Sequence, residues 1–116
     1  MILLVMYRVD FYTLPNGKSP IREFIVKAGK TLKTKIVRQI EHLQEFGLSA
    51  ANPYLRKISG TPVWEVRILG KDSTRIVCIG LRGERIVILD IFKKKSNKTP
   101  RGEINTSLKR LKALDK

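Results

Sequence analysis

The apolar period of the chain changes at about residue 50, and that change constrains the fold more than any other feature. Beyond it lie four short runs rich in Val and Ile, at 54–58, 63–69, 74–81 and 85–92. Each is bounded by a turn signal: Ser59-Gly60, then Gly70-Lys71-Asp72-Ser73, then Arg82-Gly83-Glu84. Runs of this length and composition read as strands, and connections this short make neighbouring strands antiparallel.

Ahead of residue 50 the pattern is different. Residues 3–14 space Val5, Tyr7, Val9, Phe11 and Tyr12 mostly by two, as a first strand does. Asn16-Gly17 marks a turn, and Ser19-Pro20 joins a capping hydroxyl to a proline whose missing N–H costs nothing at a helix start. A helix is predicted from about Pro20 to Lys27, burying Ile21, Phe24 and Ile25, with Gly29 ending it. A second is predicted from about Thr31 to Phe46, with Ile36, Ile40 and Leu43 on one face and Gly47 as its stop. Thr99-Pro100 repeats the start signal, and Ile104, Leu108 and Leu111 form the stripe of a last helix. The order is β-α-α-β-β-β-β-α. The expectation is one α+β domain over residues 1–116, with two N-terminal helices and a C-terminal helix on a twisted antiparallel sheet.

Charge narrows the partners. Among 116 residues, 24 are Lys or Arg and 10 are Asp or Glu, a formal net charge of +14. Such a field attracts polyanions; nucleic acid is the commonest, with an anionic membrane or an acidic protein as alternatives. One cysteine, Cys78, excludes an internal disulfide framework, and one histidine, His42, excludes a mechanism built on a histidine pair. The carboxylates show no ligand spacing, so neither a metal nor another cofactor is expected. The longest apolar run, Met1 to Met6, is too short to span a membrane and lacks the flanks of a secretory signal. The expected location is the cytoplasm, with no membrane partner.

Basic residues on the strands are the informative ones. In 63–69 the alternation sends Trp64, Val66 and Ile68 to one face, towards the core, and Glu65 and Arg67 to the other. Arg75 opens the next strand, Lys93-Lys94-Lys95 follows Phe92, and Arg56 and Lys57 sit on the first of the four. Through short hairpins, Lys57, Arg67, Arg75 and the lysine run are expected to converge on one concave face. The alternative is scattered solvent-facing charge.

The segment PYLRKISGTPVWEVR, then Thr74-Arg75-Ile76-Val77, then Ile88 to Phe92 with Lys93-Lys94, and last Lys98-Thr99-Pro100 to Glu103-Ile104, resembles the RelE/HigB superfamily of toxins. The nearest likeness is to its phage-derived HigB-like branch, and it covers nearly the whole chain. The resemblance implies a RelE-like fold and the toxin of a type II toxin–antitoxin pair. That toxin would be an endoribonuclease that cleaves mRNA, on the ribosome in many members, and so inhibits translation and growth. It also implies a cognate antitoxin with a helix-turn-helix DNA-binding domain. In this sequence Lys57, Arg67, Arg75, Phe92, Lys93 and Lys94 stand at the family's positions. Asp90 replaces a common histidine, and Thr74 a usual tyrosine.

Cleavage without metal asks the protein to stabilise charge on the phosphoryl oxygens while the RNA 2′-OH attacks, and to take one proton and give another. Arginine suits the first task, so Arg67 and Arg75 are read as clamps. Lysine crowded by cations loses its proton more readily, which makes Lys57 the proton-transfer candidate, with Lys94 beside it in the catalytic set. Arg56, Lys93, Lys95 and Lys98 are expected to hold the RNA backbone, and Tyr54 or Phe92 to stack an unpaired base. Glu65 is read as orienting a neighbouring arginine, with a base role open. Asp90 is read as pairing with a lysine or assisting proton transfer. Cys78 reads as a buried small hydrophobe, His42 as a partly exposed helix residue, and Lys109, Arg110 and Lys112 as a solvated face that also binds rRNA. Two other readings stay open: a non-catalytic RNA- or DNA-binding module, and a degenerate toxin.

Overall fold

A computed structural model describes residues 6–70, 73–94 and 100–114. In chain order the elements are β1 (Arg8–Phe11), α1 (Pro20–Lys27), α2 (Lys30–Phe46), β2 (Leu55–Lys57), β3 (Trp64–Ile68), β4 (Thr74–Leu81), β5 (Arg85–Lys93) and α3 (Arg101–Leu114). This is the order read from the sequence, an α+β architecture compatible with a RelE-like fold. None of the helices among the described residues is long and apolar enough to cross a membrane.

The helix ends follow local chemistry. Ser19 Oγ accepts the Arg22 N–H at 3.2 Å, and Pro20 occupies the first turn of α1. Gly47 closes α2 at φ +67°, with its N–H donating to the Leu43 carbonyl. A Cβ there would stand 2.6 Å from the Tyr7 ring, so both the backbone and the space call for glycine.

The sheet runs β1-β5-β4-β3-β2. Strands β2 to β5 pair antiparallel, as their short hairpins require. β1 instead lies parallel to β5, from Arg8 opposite Arg85 to Phe11 opposite Ile88, so the sheet is mixed. No hairpin joins these two strands; the chain between them passes through α1, α2 and the other strands, which leaves the parallel direction open to β1. Between Val77 and Cys78 the β4–β5 register slips, and Leu89 is the extra residue.

Directly paired residues share a face of the sheet. Arg56, Glu65, Arg67, Arg75, Asp90 and Phe92 therefore lie on one face, and Lys57, Trp64, Val66, Ile76 and Lys93 on the other. Val66, Ile76, Cys78 and Ile88 are fully buried and share the hydrophobic core with Ile21, Leu32, Ile36 and Leu43 of the first two helices. α3 packs over the charged face near β5, where Arg110 Nη1 donates to the Leu89 carbonyl at 2.7 Å and its guanidinium stands over the Tyr12 ring. The expected stripe of α3 is only half-buried; Ser107 is its buried residue.

Candidate functional site

Register brings the strand arginines together. Arg67 on β3 stands opposite Arg75 on β4, and Arg56 on β2 opposite Glu65 on β3. The Glu65 carboxylate is fully buried, with Arg75 Nε 3.5 Å and Arg56 Nε 3.8 Å from its Oε1. Lys94 follows β5 on the same face, its N–H donating to the Ser73 carbonyl. Burial and then the Arg75 charge hold the Lys94 ammonium below the usual lysine range, with Glu65 opposing and Arg67 and Arg56 adding to the depression. Burial also lowers Arg75, against the pull of Glu65, though a guanidinium stays charged. Four cations thus surround one carboxylate. A buried carboxylate in that position holds the arginines in place but neutralises only part of their charge, and the remainder suits an anion.

Other expected site residues lie elsewhere. Lys57 does not converge with the arginines. Its partner across the ladder is Trp64, and its Nζ stands 5.5 Å from the centre of that ring on the opposite face. A one-residue difference along β2 decides this, since successive side chains point to opposite faces. Lys93 is exposed and opposite Thr74, again on the Lys57 side. Phe92 is on the arginine side but 7% exposed, because β5 is an interior strand and the ring joins the core; it offers no open surface for stacking a base. Tyr54 is 39% exposed. Lys95 and Lys98 lie outside the described residues.

Asp90 pairs with arginine, not lysine. Its Oδ1 accepts the Ile91 N–H at 2.9 Å and lies 3.4 Å from Arg110 Nη1 on α3, so Arg110 does not belong to a solvated face. Burial, reinforced by a hydrogen bond with Glu103, pushes the Asp90 carboxyl up to about 8, against the Arg110 charge. Asp90 therefore fastens α3 to the sheet. Cys78 is buried as expected, its thiol pushed up to about 12 by that burial. His42 is half-buried, its ring 4.7 Å from that of Phe46. Among the described residues no three His, Cys, Asp or Glu side chains cluster as metal ligands.

The sequence reading missed a second group. Lys35, Arg38 and Gln39 of α2 border a cleft that reaches Tyr54 and Arg67. Their i, i+3, i+4 spacing, which puts all three on one side of a helix, was the available signal.

No curated protein matches the chain significantly. Residues 23–112 match the family described as phage derived protein Gp49-like (DUF891), a stretch that holds α2, the whole charged cluster and most of α3. That family is associated with RelE-like toxins of toxin–antitoxin systems, and the match spans well over half of the sequence. The chain belongs to the Gp49-like family of phage-derived, toxin-type proteins.

Proposed function

We propose that this protein is an mRNA endoribonuclease, of the HigB-like branch of RelE/HigB toxins, which acts on translated messages at the ribosome and needs no metal. The observation that carries the reading is the excess of cations around Glu65: Arg56, Arg67, Arg75 and Lys94 on one face of the sheet. In the reaction, the 2′-oxygen of the RNA bonds to the adjacent phosphorus as the bond from phosphorus to the 5′-oxygen breaks. The products are a 2′,3′-cyclic phosphate and a 5′-hydroxyl. Arg67 and Arg75 clamp the phosphoryl oxygens, where charge builds in the transition state. Lys94, depressed and on the same face, takes the 2′-hydroxyl proton in place of Lys57, and water supplies the proton that the departing 5′-oxygen takes up. Glu65 orients Arg75. Arg56 holds the backbone, and Lys95 and Lys98 add phosphate contacts; Lys93, on the Lys57 face, does not.

Membership of the family implies an antitoxin partner. A helix-turn-helix domain on that antitoxin, a cytoplasmic location, a fold confined to one domain and the absence of a cofactor are further parts of the proposal. The test is induced expression of the chain in a bacterial host, beside an Arg67→Ala/Arg75→Ala variant, with RNA 5′ ends mapped within minutes. Growth arrest with new 5′-hydroxyl ends inside translated messages, lost in the folded variant, is the expected result. Normal growth and unchanged RNA from folded protein would leave a binding module or a degenerate toxin.

A further inference from the structure

Lys35, Arg38 and Gln39 of α2 face the end of β3 across a cleft of about 320 Å³, completed by Tyr54, Arg67 and Leu69. Small-ligand sites begin at about this size, roughly 300 Å³. The parts are fixed: Lys35 Nζ donates to the Leu69 carbonyl at 3.0 Å, and the Arg67 N–H donates to the Tyr54 carbonyl at 2.8 Å. Two buried polar atoms of these residues, Gln39 Oε1 and Arg67 Nε, have no hydrogen-bond partner. Three cations border the cleft and no carboxylate does, so the ligand is anionic. Tyr54, at 39% exposure, presents a ring at the same opening. A free phosphate would use the cations but leave the ring and the amide idle. A nucleotide uses all three, since its base has a flat face and a hydrogen-bonding edge.

We infer that the cleft between α2 and the end of β3 is a nucleotide subsite, with a base on Tyr54 and Gln39 and its phosphate on Lys35 and Arg38. The RNA strand runs from it past Arg67 to the cluster around Glu65. The inference rests on the reading of that cluster as an RNA site and says where the neighbouring nucleotide goes.

The test uses a short, fluorescently labelled single-stranded RNA, 2′-O-methylated throughout so that it is not cut, with binding followed by anisotropy. Tyr54→Ala and Gln39→Ala proteins, shown by melting to be folded, are expected to bind about tenfold more weakly than wild type. Arg38→Ala, a change at an exposed residue that leaves folding alone, is expected to reduce the salt slope by about one counterion. Removing the base at one position should weaken wild-type binding by a similar factor and cost Tyr54→Ala nothing further. Unchanged affinity in folded Tyr54→Ala and Gln39→Ala overturns the subsite, as does a wild type that does not bind. Cleavage is measured separately on unmodified RNA. RNA that stays intact while its binding depends on Tyr54 supports the subsite and removes the nuclease reading. Cleavage by variants that bind as wild type does the reverse.

Discussion

Arg67 and Arg75 stand directly opposite each other across the antiparallel β3–β4 ladder. Like charges in that relationship destabilise a sheet, and the two differ in what offsets the cost. Arg75 is 5% exposed with Glu65 beside it, whereas Arg67 is half-buried and makes no ion pair among the described residues. Arg67→Ala is therefore expected to melt at or above the wild-type temperature while losing about 100-fold in RNA cleavage. Arg75→Ala is expected to lose both stability and cleavage. Melting curves and cleavage rates measured on the same preparations separate the two. A cleavage loss in Arg67→Ala that merely tracks unfolding would remove Arg67 from the site.

Glu65 offers the complementary case. Removing its charge leaves Arg56 and Arg75 without the carboxylate that lies 3.8 Å and 3.5 Å from them. Breaking a buried ion pair from one side costs about 3–5 kcal/mol. The exposure of Arg56 allows water to recover part of this, so Glu65→Gln should lose about 2–3 kcal/mol in urea denaturation. A loss under about 0.5 kcal/mol, the size of an ordinary surface change, would mean that the arginines hold their places without it.

If Lys94 is the general base of the proposed cleavage, its depressed ammonium sets the pH dependence. It then works as the neutral amine, so the rate should rise with pH and level off below the usual lysine pKa of about 10.4. Lys94→Arg keeps the charge and cannot lose the proton, so its residual rate should lack that rise. A rise that persists unchanged in Lys94→Arg assigns the proton transfer to another group.

Asp90 sets a pH dependence of stability with the opposite sign to an ordinary salt-bridged carboxylate. Its folded pKa is raised to about 8 from 3.8, by burial first and then by Glu103. Between those values the folded protein holds a proton that the unfolded chain has released, so this group's contribution to stability falls as pH rises through that window. Asp90→Asn keeps an oxygen for the Ile91 N–H and has nothing to ionise. It should melt above wild type at pH 8, by a few degrees for each ~1 kcal/mol, and show a flatter profile from about pH 4 to 8. Equal slopes for the two proteins would mean that Asp90 stays ionised, with Arg110 outweighing burial.

Much of the architecture was legible because it follows from neighbours in sequence. Ser19-Pro20 starts α1, Gly47 stops α2, and the turn residues delimit β2 to β5. The alternation that puts Glu65 and Arg67 on one side of β3 also follows from local geometry, as does the opposition of Arg67 and Arg75 once a hairpin joins their strands. The sequence therefore determined the elements, their order, and which side chains within a strand can act together. Tertiary structure decided which of the two adjacent basic residues of β2 joins them. The β2–β3 register gives that place to Arg56 and sends Lys57 to Trp64, and nothing in either side chain distinguishes the two beforehand. It decided also that β1 is parallel to β5, that an interior strand buries Phe92, and that Asp90 meets Arg110 from a helix 20 residues on. Local chemistry acts over a few residues, whereas register, strand direction and helix docking are settled by the burial of apolar surface from the whole chain at once.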